Sequence, residues 1–398
     1  MSAPLPSRFR LVPMRPRDPD EPGRSASTLE LFFDLVFVVA VGVASAQLHH
    51  QLSEAHIANG LVNYLIVFFG IWWAWMNFTW FATSFDTDDW LYRVLTIIQM
   101  GGVLVLASGI QPAFEEQDYS VLVFAYVVMR LAMVAQWLRA SRSPGAVHRA
   151  ALLYAGGIMV VQALWLAALL LPGGLFLVAL VILVLAELAV PIVAERTGST
   201  PWHPHHVTER YGLFTLIVLG ESLLASANAI IEAAHDDEAI GPLIGLAGLA
   251  LLITAALWWI YFWPPHHTAI SGFASSLAYG YGHYVIFAAA AALSAGIEVQ
   301  IDVLTHHSEL SSTAAAFATT TPIAVFIFGV WLLAIRRHAD RWVNTVVPGG
   351  AFLVLIDPVL PVPIALTAVI LVTVVAVLVW RQPLAGERVG GKGLSPER

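Results

Sequence analysis

The sequence predicts an all-α protein in which about twelve helices cross a membrane. Three observations predict this fold: the composition, a series of long apolar runs, and the sides on which the charged loops fall. Of 398 residues, 58% are hydrophobic and only 12% are charged, and the mean hydropathy is +0.76. A soluble domain carries about 25% charged residues. This composition therefore excludes a soluble globular protein and a disordered chain, and leaves a protein that is solvated mostly by lipid.

Charge and cysteine usage narrow the functional classes. The chain has 19 basic and 27 acidic residues, a net charge of −8, and no basic stripe that would neutralise phosphates. We therefore expect no nucleic-acid partner. Cysteine is absent, which excludes disulfides, thiolate metal sites and cysteine nucleophiles.

The apolar runs predict the helices and the ends of the bundle. A helix that crosses a bilayer needs roughly 20 apolar residues. Residues 1–27 are rich in Pro, Arg and Asp and predict a disordered tail, and residues 382–398 predict a second tail. Between the tails, the runs predict spans at 29–48, 57–82, 91–110, 119–138, 150–171, 173–194, 211–232, 241–263, 274–297, 314–335, 343–356 and 360–380, of which the eleventh is the shortest.

The charged loops support this count independently. Lys and Arg collect in cytoplasmic loops of membrane proteins. With twelve spans, every loop on one side lacks Lys and Arg and holds acids such as Glu54, Glu115 and Asp118. Both tails fall on the other, arginine-rich side. We therefore expect a multi-pass protein of the cell inner membrane with both tails in the cytoplasm and the lipid bilayer as a partner.

A weak internal repeat divides the spans into two halves. The segment Ile71–Trp75 resembles Leu257–Tyr261, and Ser108–Ile110 resembles Ala295–Ile297. Glu30 and Glu209 each stand at the mouth of a span, and all these partners lie about half the chain apart. We expect two parallel six-helix halves, 28–196 and 197–381, as in many transporters. The alternative is that tryptophan pairs recur by chance or for helix packing.

Five ionisable residues fall inside predicted spans: Asp34, Arg130, Glu187, Glu221 and His283. A charged side chain at the centre of a membrane helix costs about 2.5–3.5 kcal/mol, so each needs a partner or water. Helical rise places three of them, Arg130, Glu221 and His283, roughly 14–16 Å deep, and the other two roughly 8–10 Å from the cytoplasmic edge. The five are our candidate sites for ion or proton coupling.

Depth suggests partners for these groups. Glu221 is the best depth-matched counter-ion for Arg130, either as a structural clasp between the halves or as a site that exchanges a proton or ion. Asp34 has no cation at its predicted depth. Glu30, four residues earlier, would share its helix face and complement the helix dipole.

The remaining motifs give no catalytic or metal site. Most histidines fall in predicted loops as pairs, without the convergent ligands that a metal needs, so we expect no metal and no cofactor. His283 could relay protons or could be a neutral, hydrogen-bonded side chain. The tryptophan-rich stretch from Trp72 to Trp80 is typical of helix packing, and an aromatic substrate cage is the less favoured interpretation. No nucleophile motif occurs, so we do not expect an enzyme.

Two segments carry a family resemblance. The segments STLELFFDLVFVVAVGVASAQL (27–48) and HPHHVTERYGLFTLIVLGESLLA (203–225), with WWAWMNFTWFATSFDTDD (72–89), resemble the bacterial low temperature requirement A family. The resemblance implies a polytopic membrane protein associated with growth in the cold, with no established biochemical activity. The polar positions of its motifs map here onto Glu30, Asp34, Asp86, Asp89, His206, Glu209, Arg210 and Glu221.

Two functions follow as hypotheses. The first is a secondary transporter, coupled to protons or another ion, for an unknown small-molecule or ionic substrate. Asp34 and Glu221 would bind the coupling ion, and Arg130 would tune them or hold an anionic substrate. The second is a membrane protein that supports growth at low temperature through lipids or partner proteins without transport. The sequence leaves the substrate and the oligomeric state open.

Overall fold

A computed structural model describes residues 11–235 and 240–383, and all regular structure in these ranges is helical. The prediction of an all-α bundle is therefore confirmed. In chain order the helices are α1 Thr28–Ser53, α2 Ile57–Phe85, α3 Trp90–Ser108, α4 Ile110–Glu115, α5 Ser120–Ala140, α6 Ala146–Ala168, α7 Gly173–Thr197, α8 Pro204–His235, α9 Ile240–Phe262, α10 Phe273–Leu304, α11 Ser312–Val330, α12 Val343–Ile356 and α13 Ala365–Trp380.

Ten helices in the described ranges are long and apolar enough to cross a membrane. They correspond to the first ten predicted spans. The last two predicted spans correspond to shorter apolar helices, Val343–Val359 and Ala365–Trp380. Their connection is fixed by Asp357, which is fully buried and accepts hydrogen bonds from the backbone N–H groups of Ile364 and Thr367 at 3.0 and 3.2 Å. This carboxylate satisfies the free N–H groups at the start of α13.

Lipid-facing surfaces account for the high hydropathy. On α1, Phe32, Leu35 and Val39 are about half exposed, while Phe33 and Phe37 on the opposite face are buried. The exposed residues Val181, Ile182 and Leu185 form a similar surface on α7. Apolar surfaces of this extent on so many helices are not compatible with water as the surrounding solvent.

Helices of each half pack in the same sequential order. In the first half α1 packs against α2 and α3, α3 against α5, α5 against α6, and α6 against α7. In the second half α8 packs against α9 and α10, followed by α10–α11, α11–α12 and α12–α13 contacts. The halves meet where α1 packs against α8 and α10. The internal repeat and the division at residue 197 stay predictions.

Two of the helix boundaries that differ from those predicted bear on the buried ionic groups. Helix α8 begins at Pro204, seven residues before the predicted start at 211, and α1 continues to Ser53 rather than ending at 48. Both extensions consist of polar residues that a hydropathy argument assigns to loops. His206 and Arg210 are nevertheless buried, because carboxylates of α1 lie beside them.

Residues 11–27, called the strap below, pack against one end of the bundle, which we call the strap face. Met14 is buried, and its carbonyl accepts a hydrogen bond from Ser143 Oγ at 2.8 Å. The Arg17 N–H donates to the Ser84 carbonyl at 2.9 Å. The disordered tail expected for residues 1–27 therefore does not hold for residues 11–27, since charged side chains in the strap have partners on the helix ends. The tail expected at 382–398 lies almost entirely outside the described residues.

Candidate functional site

A cluster of four buried ionisable residues joins α1 to α8. Arg210 on α8 binds Asp34 on α1 through two hydrogen bonds, Nε to Oδ2 at 2.8 Å and Nη2 to Oδ1 at 2.5 Å. Its Nη1 binds Glu30 Oε1 at 3.0 Å. The fourth member, His206, is one turn earlier on α8, and its Nε2 lies 3.1 Å from the same Glu30 oxygen. We call these four residues the buried cluster.

Local sequence positions each member. Ser27 caps α1: its side chain accepts the Glu30 N–H, while Glu30 Oε2 accepts the Ser27 N–H at 2.7 Å. This capping box fixes the Glu30 carboxylate at the helix entrance. Asp34 follows one turn deeper on the same face, and Trp75 Nε1 on α2 donates to its Oδ1 at 2.6 Å.

The charges in the buried cluster do not cancel. With His206 neutral, two carboxylates face one guanidinium, which leaves a net charge of −1. All four side chains are at most 1% exposed. The Phe78 ring lies 6.0 Å from the Arg210 guanidinium carbon and adds a cation–π contact. His206 Nδ1 is buried without a hydrogen-bond partner among the described residues, whereas Nε2 faces the Glu30 carboxylate. With His206 neutral, the cluster therefore has one excess negative charge.

The prediction that Asp34 lacks a cation is wrong. The predicted start of the seventh span at 211 placed Arg210 in a loop, whereas α8 includes it. Hydropathy placed Asp34 inside a span and Arg210 outside one, so it could not show that the two side chains meet.

Arg130 pairs with Glu187 and not with Glu221, so the predicted counter-ion is wrong. Arg130 Nη2 lies 3.1 Å from Glu187 Oε2, and both side chains are fully buried. The same carboxylate accepts hydrogen bonds from Trp73 Nε1 at 2.9 Å and Gln162 Nε2 at 2.8 Å. The pair is neutral overall and belongs to the first half alone. The depth argument failed because it separated Arg130 and Glu187 into different layers.

Glu221 lies at the contact between α8 and α1. A Cβ atom built on Gly42 of α1 would lie 2.6 Å from Glu221 Oε1, so the glycine allows this close approach. Glu221 is partly exposed. It therefore lies two helical turns beyond Asp34 along the same α1–α8 contact.

A second ionic group, missed by the sequence analysis, lies at the far end of the α1–α10 contact. His49 binds Glu298 through Nδ1 at 2.9 Å and Asp302 through Nε2 at 2.7 Å. Ser53 Oγ also donates to Asp302 at 2.6 Å. The sequence did indicate this group, because Glu298 and Asp302 lie about one helical turn apart directly after the predicted span 274–297.

His283 is buried and hydrogen-bonded on both ring nitrogens. Its Nδ1 donates to the Tyr279 carbonyl at 2.7 Å, so in the neutral ring Nε2 accepts from Tyr261 Oη at 3.0 Å. Of the two alternatives for His283, a proton relay or a neutral hydrogen-bonded side chain, this geometry fits the second. Nearby His266 lies outside the spans, and burial lowers its pKa to about 4.

Three further residues of the family motifs form contacts at the strap face. Asp86 binds Arg17 at 3.0 Å and Arg24 at 3.3 Å, and burial raises the pKa of Asp86 although both arginines oppose this. Asp89 caps α3 and pairs with Arg139 at 2.5 Å. Glu209 accepts the Ala26 N–H at 3.2 Å. These residues attach the strap and close loops.

An aromatic pocket opens among the strap-face ends of α2, α5, α6, α7 and α10. Its cavity volume is about 60 Å³, within about 590 Å³ of space between atoms that includes open solvent. The pocket is bounded by Glu195 and by rings of Trp80, Trp137, Tyr154, Trp202 and Tyr281. Of the four tryptophans in the tryptophan-rich stretch, Trp80 alone lines the pocket, since Trp72, Trp73 and Trp75 are buried among the helices. In residues 11–235 and 240–383, no group of three His, Asp or Glu side chains could hold a metal ion.

The helical fold, the lipid-facing surfaces and the buried ionic groups together define a polytopic membrane protein. Within that class, residues 25–380 match the family model described as bacterial low temperature requirement A protein (LtrA). The chain belongs to this family.

One curated relative is "Uncharacterized protein RA0937" of Rhizobium meliloti (strain 1021), which is 27% identical over 246 residues. The match covers 60% of this chain and 58% of that protein, so the chain spans less than two thirds of the length of the relative.

Proposed function

We propose that the protein is a secondary transporter coupled to protons, and that the buried cluster is its proton site. The observation that carries the proposal is that two carboxylates share one arginine among four side chains that are almost fully buried. With His206 neutral, this leaves a net charge of −1. A buried uncompensated charge is unfavourable, and uptake of one proton neutralises the cluster. A cluster that is neutral when closed and negative when open to water links protonation to a change of conformation.

A line of protonatable groups supports the proposal. Along the contact of α1 with α8 and α10, carboxylates follow one another from the strap face to the opposite face: Glu30, Asp34, Glu221, Glu298 and Asp302. His49 ends the line between the last two. Chains of Asp, Glu and His within membrane segments are typical of proton pathways in pumps and transporters. The line follows the interface between the predicted halves, where transporters place their coupling sites.

The other predicted coupling residues have a supporting role in this proposal. Arg130 and Glu187 form a neutral pair that is held by Trp73 and Gln162 within the first half. His283 holds Tyr261 and the Tyr279 carbonyl. We assign these three residues to packing of the halves and keep Asp34 and Glu221 as coupling residues.

The test is movement of protons evoked by a solute. Purified protein is reconstituted into vesicles that contain a pH-sensitive dye, and solutes of each charge class are added under a pH gradient. We expect one class to move protons in the wild type and not in Asp34→Asn, while the exposed acid variant Glu54→Gln behaves as wild type. Absence of solute-evoked proton movement in every class, from protein with an unaltered thermal unfolding profile, would contradict the proposal.

A second candidate is a membrane protein that supports growth in the cold without transport. The Arg130–Glu187 group favours it, because all its charges are paired and buried as in a static core. In that case Asp34→Asn would change the stability of the protein but no flux. The vesicle experiment therefore separates the two functions.

A further inference from the structure

We infer that the aromatic pocket binds a small organic cation of the quaternary ammonium class. The claim that this cation is transported depends on the proposed function, whereas the claim that the pocket binds it does not. The inference starts from one carboxylate, Glu195, in a pocket whose lining includes six aromatic residues.

Every partner of Glu195 is a neutral donor. Oε1 accepts hydrogen bonds from Thr200 Oγ1 at 2.7 Å and Tyr154 Oη at 3.1 Å, and Oε2 accepts the Thr200 N–H at 3.1 Å. Among the described residues, no Lys, Arg or His forms an ion pair with it. These three bonds orient the carboxylate, and no cation among the described residues occupies it, so it can pair with a cationic ligand.

The rings of the pocket suit a cation without N–H donors. Trp137 and Tyr154 stack in parallel at 4.0 Å, and Trp202 meets Trp80 edge to face at 6.0 Å. The faces of Trp and Tyr attract an organic cation through their quadrupoles, and such aromatic cages recognise quaternary ammonium groups. The Tyr154 and Tyr281 hydroxyls already donate, to Glu195 and to the Leu188 carbonyl at 2.9 Å. A ligand therefore meets aromatic rings and one fixed carboxylate, and neither tyrosine hydroxyl is free to donate to it.

One hydrogen bond links the pocket to the residue that follows Arg210 of the buried cluster. Trp80 Nε1 donates to Tyr211 Oη at 3.0 Å, and Tyr211 follows Arg210 on α8. On α2, Trp75 contacts Asp34 five residues before Trp80. A ligand that displaces Trp80 would therefore act on both helices that hold the proton site.

Equilibrium binding to the purified full chain tests the inference without any gradient. Choline is titrated by calorimetry against its uncharged isostere 3,3-dimethyl-1-butanol. We expect saturable choline binding that is at least about tenfold tighter than binding of the isostere, because only choline carries a positive charge that can pair with the Glu195 carboxylate. Choline binding no tighter than that of the isostere would overturn the inference.

Two variants locate the site. Glu195→Gln should weaken choline binding at least about tenfold, since it removes the charge with little change of shape. Trp202→Leu, in a loop, should weaken it by about threefold to tenfold. The lipid-facing Trp258→Leu is the matched control with unchanged binding. Choline binding of equal strength in the wild type and in both folded variants would overturn the assignment of the binding site to this pocket. If Glu195→Gln fails to fold, the result for Trp202→Leu alone tests the assignment.

Failure of this inference is distinguishable from failure of the proposed function. Choline binding at this pocket without solute-evoked proton movement would contradict only the transporter. Proton movement evoked by another solute class, with no choline binding, would contradict only the cation site.

Discussion

At the residue scale, the buried carboxylates differ in whether their charge is cancelled. Glu187 shares a neutral group with Arg130, whereas Asp34 and Glu30 share one arginine. Both arrangements avoid a lone charge in the bilayer, but only the second has an excess charge that a proton removes. We therefore place proton coupling at Asp34 and a packing role at Glu187.

The pairing of Arg130 leads to a prediction that a double-mutant cycle checks. Unfolding by SDS titration in mixed micelles should give a coupling free energy of about 1–3 kcal/mol between Arg130→Gln and Glu187→Gln, because the two charges touch. The matched cycle of Arg130→Gln with Glu221→Gln should give about zero, since these residues form no pair. A larger coupling free energy in the second cycle would instead support the pairing of Arg130 with Glu221 that was expected from the sequence.

A histidine outside the spans predicts a dependence of stability on pH. The folded pKa of His266 is about 4, below its ordinary value of 6.5, because burial disfavours the charged ring. Its neighbour His267 adds to the effect. The unfolded chain therefore binds more protons between these values, and the contribution of His266 is complete above pH 6.5 and is lost as the pH falls towards 4.

The size of this effect can be measured by difference. Across that pH range the wild type should lose up to about 3 kcal/mol through His266, and His266→Gln should lose correspondingly less. The exposed His50→Gln is the control and should follow the wild type. Parallel pH profiles for His266→Gln and the wild type would show that the pKa of His266 is not lowered.

At the element scale, helix ends depend on contacts that hydropathy does not report. The sequence was sufficient for the existence and approximate limits of the spans, because each is a long apolar run. It was insufficient for the first turns of α8, where His206 and Arg210 are polar but buried against Glu30. It also missed Glu195, because its role comes from rings on four other elements. The motif positions from the family resemblance, by contrast, included all four members of the buried cluster.

The strap supplies a prediction at this scale. Asp86 holds Arg17 and Arg24, so Asp86→Asn should release the strap and expose the Arg24–Ser25 bond. We expect trypsin to cleave this bond several-fold faster in the variant, as followed by mass spectrometry of the intact protein. Asp118→Asn, at the other face of the bundle, is the control. Cleavage at the wild-type rate would mean that Asp86 does not hold the strap.

At the scale of the whole molecule, the topology itself can be tested. The chain has no cysteine, so a single introduced cysteine reports its own side of the membrane. With α12 and α13 both crossing, Val362→Cys between them should label with the same membrane-impermeant maleimide, from the same side, as Ser308→Cys. Ser199→Cys, next to the strap face, should label only from the other side. Labelling of Val362→Cys together with Ser199→Cys would contradict the twelve-span topology.

The central claim is that the buried cluster couples one proton to transport. Asparagine at position 34 removes one negative charge and so mimics the protonated, neutral cluster. Once a transported solute is known, the most direct measurement compares exchange of that solute across vesicles with its accumulation driven by a pH gradient. We predict that Asp34→Asn retains exchange and loses accumulation. Accumulation at the wild-type level in Asp34→Asn would contradict the claim.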